Sequence, residues 1–469
     1  MRSILNAEDI KDWQPYPLIT DDGLTALERA RKRMQGTNQW APWQMLGRRF
    51  TIGCVALEIT QRCNLDCSYC YLSESSEALS DIPLEEVYRR VDMIFAHYGV
   101  NTDVQVTGGD PSLRKRDELM AIVRYIKQKG MRPSLFTNGI KATREMLVEL
   151  CAAGLEDVAF HVDMTQQRDG YGSEAALNAL REEYIGRVRG LNCAVIFNTT
   201  ISPDNFHELP EIARFFTRHA DVVRFASFQI GADIGRGTDR TRATVNAETI
   251  KNAIREGIGS PLNFNAASSG HAECNSYAFG LIINGKMHDF IDDATFAQSV
   301  LHAGTSLTAS RAHKWQAVKT VLRYSVANPR ILLNVVSRFM KLAWRERRDM
   351  FAVRGKVQKI SFFVHNFMDA AALDRERCEA CSFMVMTPEG PLSMCVHNAK
   401  RDDYLLVATS VKRENKMMFF NPATGEFEDQ IPSKIAVSLN RKNARGRAKD
   451  ALQLGQDAGL AEHTAQAAE

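Results

Sequence analysis

The chain of 469 residues is 45% hydrophobic and 25% charged, with 59 basic and 56 acidic side chains and a formal net charge of +3. These proportions exclude a wholly disordered chain, and the near balance of charge gives no global signature of nucleic-acid binding. No apolar run reaches the about 18 residues of a membrane span, and the start MRSILNAEDIKDWQPYP lacks a secretory pattern, so the expected compartment is the cytoplasm.

Residues 1–50 read as a helical lead-in. DDGLTALERARKRMQG has an acidic start and a basic end, matching a helix dipole, and the tryptophan-rich NQWAPWQM follows. Over 51–245 short apolar runs alternate with helix-length segments. The runs are CVALEIT (54–60), VQVTGG (104–109), PSLFTNG (133–139), DVAFHVD (157–163), CAVIFNTT (193–200) and VVRFASFQIG (222–231). Their near-continuous apolar character predicts strands buried on both faces. Helices are expected at 84–98, entered through Ile82-Pro83, and at 117–129, 141–152, 174–190 and 206–219. A spacing of about 30 residues is that of a βα unit. Such units form either a doubly wound sheet or an incomplete (β/α) barrel, and both place functional loops at the C-terminal ends of the strands.

Residues 246–300 are a connecting region that carries Cys274. Within the segment 301–360, residues 311–359 hold 13 Lys/Arg against Glu346 and Asp349. Apolar residues interleave there at helical spacing: Val318, Val321, Leu322 and Val326, then Leu332, Val335, Val336 and Phe339. Two readings stand side by side. One is a helical pair with a solvated basic face. The other is a surface for an anionic partner, a phosphate-bearing substrate or a lipid headgroup. Residues 361–440 contain a second cysteine group and MMFFNPATGEFED, which reads as strand, turn, strand. Residues 441–469 read as a mobile tail.

The ten cysteines are unevenly placed. Cys54, Cys151 and Cys193 lie within apolar patterns and read as small core residues. Cys63, Cys67 and Cys70 follow the first strand directly, in EITQRCNLDCSYCYL. Most iron–sulfur clusters use four cysteines. With no fourth nearby, a cluster held here keeps one iron free for a non-protein ligand. The competing reading is a zinc site completed by a distant histidine.

The CxxxCxxC pattern, with Tyr69 before its last cysteine, resembles the signature of the radical S-adenosylmethionine (SAM) enzymes. The resemblance implies a partial (β/α)6 TIM-like barrel. It implies a [4Fe–4S] cluster on Cys63, Cys67 and Cys70, with SAM chelating the fourth iron, and reductive cleavage of SAM to a 5′-deoxyadenosyl radical. An electron donor such as flavodoxin or ferredoxin is implied, and no nucleic acid. TGGDP (107–111) resembles the family's Gly-Gly-Glu-Pro motif. Gly108 and Gly109 would bring backbone close to SAM, with Pro111 behind them and Asp110 in place of Glu. By the same analogy Asn138 of Thr137-Asn138-Gly139, Asp163 beside His161, Asn198 beside Thr199, and Gln229 line the SAM and substrate cavity. Asp163 or Asn198 would meet the ribose hydroxyls. Each is also an ordinary helix-cap or turn residue.

RCEACSFMVMTPEGPLSMCVHN carries Cys378, Cys381 and Cys395 about a Pro-Glu-Gly turn, and resembles an auxiliary-cluster module. With Cys274 these cysteines would close a second [4Fe–4S] cluster. Zinc is the competitor, and His271 and His397 are alternative ligands. QIGADIGRGTDRTRATV, NFMDAAALDRERC and PLSMCVHN resemble the subgroup of tetraether lipid synthases and pterin-methylating enzymes, although Ser269 stands where another cysteine is expected. The expected function is functionalisation of an unactivated carbon, by C–C bond formation or methyl(ene) transfer on a lipid-like or other small molecule. Tyr71, Tyr277 and Cys274 are candidates to quench a radical. The alternatives are a peptide-modifying radical SAM enzyme and a non-catalytic, cysteine-rich metal-binding or electron-transfer protein.

Overall fold

The structure, a computed structural model, describes residues 3–45, 48, 52–237, 245–265, 267–291, 293–307, 314–413, 416–432 and 435–437. The expected tail at 441–469 lies outside them.

All six predicted strands are present: β1 (Cys54–Thr60), β2 (Asp103–Gly108), β3 (Arg132–Thr137), β4 (Asp157–His161), β5 (Ala194–Ile201) and β6 (Val223–Ile230). Local sequence explains the returns between them. Pro83 caps the helix Leu84–Tyr98, whose missing N–H would be idle at a helix start, and Gly99 at φ 76° ends it. Thr143 caps Arg144–Ala153 by accepting from the Met146 N–H, and Gly154 closes it in the left-handed region.

The C-terminal half adds β7 (Asn275–Ile283), β8 (Lys286–Asp289), β9 (Gln358–Asn366), β10 (Phe383–Met386) and β11 (Pro391–Ser393) to the same sheet. The order is β11-β10-β1-β2-β3-β4-β5-β6-β9-β7-β8. A doubly wound sheet reverses its strand order at a switch point. Here β1 to β6 run in chain order, so the sheet curls one way as a barrel does. β10 pairs parallel with β1, and β9 parallel with β6. The barrel therefore takes parallel strands from residues 358–386 on both sides of the six predicted units. Ile360, Phe362, Val364, Met384 and Met386 share one buried core with the strands and helices of the first half. Sequence periodicity around 54–231 could not reveal this, because the added strands come from distant segments.

The two sides of the curled sheet meet without ladder hydrogen bonds among the described residues. Phe383 at the start of β10 packs on Phe363 and His365 of β9, with ring centroids 6.0 and 4.5 Å apart. The Ser382 hydroxyl donates to the Ser269 carbonyl at 2.9 Å across the same seam. A separate sheet holds β12 (Thr409–Arg413), β13 (Lys416–Phe420) and β14 (Phe427–Glu428), so the predicted strand-turn-strand is there with a partner strand before it.

The predicted helical pair is found at Lys314–Ala327 and Pro329–Arg345. Its faces differ from expectation. Val318, Val321, Leu322, Val326 and Val336 are exposed, and Leu342 is the buried residue of the second helix. Cys54, Cys151 and Cys193 are half-buried rather than core residues. Cys54 begins β1 and faces the barrel interior, where its thiol donates to Gln105 at 3.3 Å. Cys151 and Cys193 hydrogen-bond to each other, in a gap between a helix end and a strand start that apolar pattern cannot distinguish from core.

Candidate active site

Cys63, Cys67 and Cys70 lie on the loop that leaves β1, and all three line one cavity of about 1050 Å³ inside the barrel. Backbone bonds from three neighbouring segments hold this loop. The Asp110 N–H donates to the Arg62 carbonyl at 2.8 Å, Ser68 N–H to Thr165 at 2.8 Å, and Gly237 N–H to Cys70 at 3.1 Å. Burial pushes the Cys63 thiol up to about 12, with Asp110 and Cys70 adding to it. A metal centre bound there would deprotonate such a thiol outright.

The glycines of TGGDP let this loop pack backbone to backbone against the end of β1 and the start of the cysteine loop. Gly108 sits at φ +129°, and a Cβ on it would fall 1.8 Å from the Thr60 carbonyl oxygen. A Cβ on Gly109 would fall 2.1 Å from that of Arg62. Both glycines, Tyr69, Asn138, Asn198 and Gln229 line the cavity. Asp110, Pro111 and Asp163 stand behind its wall. The Asp110 carboxylate accepts from the Ser112 and Asn138 N–H groups at 2.9 and 2.8 Å and from the Thr137 hydroxyl at 2.9 Å, tying two strand-end loops together. Asp163 accepts from the Thr165 and Thr200 N–H groups at 3.0 and 2.7 Å and pairs with His161 Nε2 at 2.7 Å. Burial raises its carboxyl, but the neighbouring His161 outweighs this and lowers it. Both aspartates shape the loops, while Asn138, His161, Asn198 and Thr200 line the cavity at the neighbouring strand ends.

Several site residues carried no distinguishing sequence signal. Arg236 is buried, hydrogen-bonds the Cys70 sulfur and pairs with Glu77 at 2.8 Å. The loop that delivers it packs so closely that a Cβ on Gly231 would meet the Tyr69 ring at 2.6 Å, and one on Gly235 the Tyr71 backbone at 2.4 Å. The three glycines spaced through GADIGRG, directly after a strand, were the available clue. Glu58 and Arg401 form a second buried pair at 2.5 Å in the cavity wall. Burial raises the Glu58 carboxyl, yet Arg401 and His397 outweigh that and hold it at about 2. The Arg401 guanidinium lies 4.8 Å over the Tyr71 ring, and the Tyr71 hydroxyl donates to the Gly108 carbonyl. Tyr277 also lines the cavity.

The second cysteine group gathers at the seam. Cys274 precedes β7, Cys378 and Cys381 precede β10, and Cys395 follows β11. Burial raises the Cys378, Cys395 and Cys274 thiols, the last two to about 12 and about 11, and the neighbouring thiols of the same group raise them further. Arg377 Nε donates to Cys274 Sγ at 3.4 Å. Among the described residues, no three His, Cys, Asp or Glu side chains are placed to hold one metal ion. His271 Nδ1 accepts from the Glu273 N–H at 3.2 Å, and His397 is buried beside Glu58 with its affinity for protons lowered to about 3 by burial and Arg401.

Fold and site together define an α/β barrel protein with a three-cysteine loop at the C-terminal end of its first strand. Residues 57–216 match the family model described as the Radical SAM superfamily, and this stretch is a radical SAM domain, a family that implies a [4Fe–4S] cluster and SAM. The chain is 31% identical over 179 residues to a PqqA peptide cyclase of Rhodopseudomonas palustris, covering 37% of this chain and 46% of that protein. It is 25% identical over 191 residues to the 7,8-dihydro-6-hydroxymethylpterin dimethyltransferase of Methanocaldococcus jannaschii, covering 39% and 37%. A solved structure of Streptococcus suis SuiB bound to precursor peptide SuiA shares 12% identity, with a TM-score of 0.34 over 51% of this chain and 54% of that one. The chain spans about half the length of the curated relatives it matches.

Proposed function

We propose that the chain is a radical SAM enzyme that functionalises an unactivated carbon of a lipid-like or other small molecule, by C–C bond formation or methyl(ene) transfer. The observation that carries this reading is a single cavity that joins the three-cysteine loop to a deep interior with an aromatic wall. Ile196, Phe225, Tyr277, Phe279 and Phe363 line that interior. A [4Fe–4S] cluster with SAM supplies one-electron cleavage of a SAM carbon–sulfur bond. The chain's own residues do the rest. Cys63, Cys67 and Cys70 would hold the cluster, and Gly108 and Gly109, packed backbone to backbone on Thr60 and Arg62, would present their main chain to SAM beside it. Asn138, Asn198 and Gln229 offer amides to its polar groups. The aromatic walls exclude water from the reacting carbon.

Cys274, Cys378, Cys381 and Cys395 are the ligands of a second [4Fe–4S] cluster in this reading. A redox role shared with the first cluster favours iron over zinc at these four thiols. A flavodoxin or ferredoxin would supply the electron.

Likeness to the pterin dimethyltransferase favours carbon transfer to a small molecule. Likeness to the PqqA peptide cyclase favours a second reading, modification of a peptide by the same cavity. Anaerobic reconstitution followed by dithionite and SAM should yield 5′-deoxyadenosine, and Cys67→Ala should abolish it. Absence of that product from fully iron-loaded protein would overturn both readings. Comparison of extracted lipids and of peptides between a deletion strain and its parent separates the two.

A further inference from the structure

The helical pair presents its apolar residues outward. On Pro329–Arg345 the residues Leu333, Val336, Met340 and Trp344 recur at i, i+3, i+7 and i+11 and are all exposed. Turning about half a circle reaches Val335 and Phe339, which are half-buried, and Leu342, which is buried against the body. The helix is thus apolar on the side that packs and apolar again on the side that does not. On Lys314–Ala327 the residues Trp315, Val318, Leu322 and Val326 repeat the same spacing and are also exposed. Trp315, Trp344 and, just beyond, Phe351 are 80%, 73% and 88% exposed. An outward stripe of this length costs free energy in water for every side chain in it.

Charge narrows what covers it. Lys319, Arg323, Arg330, Lys341 and Arg345 are exposed along the same helices, and Arg347 and Arg348 just beyond them. The two acidic residues of the stretch are engaged locally, Asp349 with Lys286 at 2.6 Å and Glu346 with Arg345 at 2.9 Å. On the second helix, by 100° steps from residue to residue, Arg330 and Lys341 flank the outward stripe along one side. Tryptophans in an apolar stripe beside a cationic border match a helix lying in the plane of an anionic bilayer surface. Among the described residues no helix is long and apolar enough to cross a membrane, so the pair would lie on it.

The position of the pair adds a second argument. The cavity extends from the cysteine loop to the opposite end of the barrel, where the first residues of β1, β2, β4 and β5, namely Cys54, Asp103, Asp157 and Ala194, line it. Leu301, Val318 and Val357 line the cavity too, so the pair borders it. We propose that the helical pair 314–345 docks the protein on an anionic lipid surface, with the apolar border of the cavity against the bilayer. The docking itself needs neither SAM nor iron, so it stands or falls apart from the catalytic reading.

The test is co-sedimentation of the full chain, without reductant or SAM, with phosphatidylglycerol-containing vesicles and with pure phosphatidylcholine vesicles. Binding to the anionic vesicles only, released by high salt and accompanied by a blue shift of tryptophan emission, is the expected result. Trp315→Ala with Trp344→Ala, and separately Arg330→Glu with Lys341→Glu, should each weaken binding by about tenfold or more while the circular-dichroism melt stays unchanged. No binding to anionic vesicles, or equal binding by folded variants, overturns the proposal. So does a wild-type dimer in light scattering that ignores vesicles and dissociates in the tryptophan variant.

Discussion

At the scale of single residues, the site is organised by charges whose partners come from far along the chain. Cys63, Cys67, Cys70 and the TGGDP glycines were legible because their chemistry is local: donors in a short loop, and backbone with no room for a side chain. Arg236 and Arg401 were not, since each acquires meaning only from a partner that folding supplies, Cys70 for one and Glu58 for the other. Asp110 and Asp163 show the converse. A carboxylate at a strand end satisfies loop N–H groups as readily as it meets a ligand, and sequence cannot weigh the two. His365 gives a titration to measure. It stacks on Phe367 with centroids 3.9 Å apart, and burial, aided by Arg377, lowers its proton affinity to about 3. The unfolded chain protonates near about 6.5. The stability from keeping this ring neutral is therefore complete above that pH and declines as pH falls toward the folded value. Between pH 7 and pH 4 the loss amounts to on the order of 3 kcal/mol. Denaturant melts across this range should show the decline, and His365→Gln should flatten it.

At the scale of elements, the six β-strands and the helices between them were readable to within a few residues because strands buried on both faces leave uninterrupted apolar runs. The runs about Cys274 and about the Pro-Glu-Gly turn read as run-turn-run, but the membership of β7 to β10 in the barrel sheet was obscured for the opposite reason: their places depend on pairings that no local period encodes. The loop after β2 is where element and chemistry meet. Gly109→Ala would drive a methyl group into the Arg62 carbonyl, and backbone, unlike a flexible side chain, yields only by moving the cysteine loop. Such strain costs about 1–3 kcal/mol. The variant should keep its fold by circular dichroism and bind SAM at least about tenfold more weakly in equilibrium dialysis of iron-loaded protein. Unchanged SAM affinity would remove this loop from the binding site.

At the scale of the whole molecule, the four seam cysteines lie where segments from the two sides of the curled sheet meet through rings and a few hydrogen bonds, among them His271 N–H to the Ala380 carbonyl at 3.3 Å and Arg377 to the Asn366 carbonyl at 2.5 Å. Cys274 comes from one side of the curled sheet, and Cys378, Cys381 and Cys395 from the other. A metal centre there would act as a cross-link, so its removal should loosen the seam selectively. Hydrogen exchange of Cys381→Ala against the parent protein, both iron-loaded, should quicken over 267–283 and 378–398 and remain unchanged over 103–201. Uniform acceleration would assign those thiols a role in global stability instead.

The parallel pairing of β1 with β10 has a consequence during synthesis. The edge of the sixth decade of the chain finds its neighbour only after residue 386 has left the ribosome. Until then the nascent polypeptide carries an unsatisfied strand border next to reactive thiols. Such delayed, long-range closure slows folding and leaves surface open to aggregation. Iron delivery is therefore best timed after release of the finished chain, and expression at reduced temperature with chaperone support should raise the yield of loadable protein.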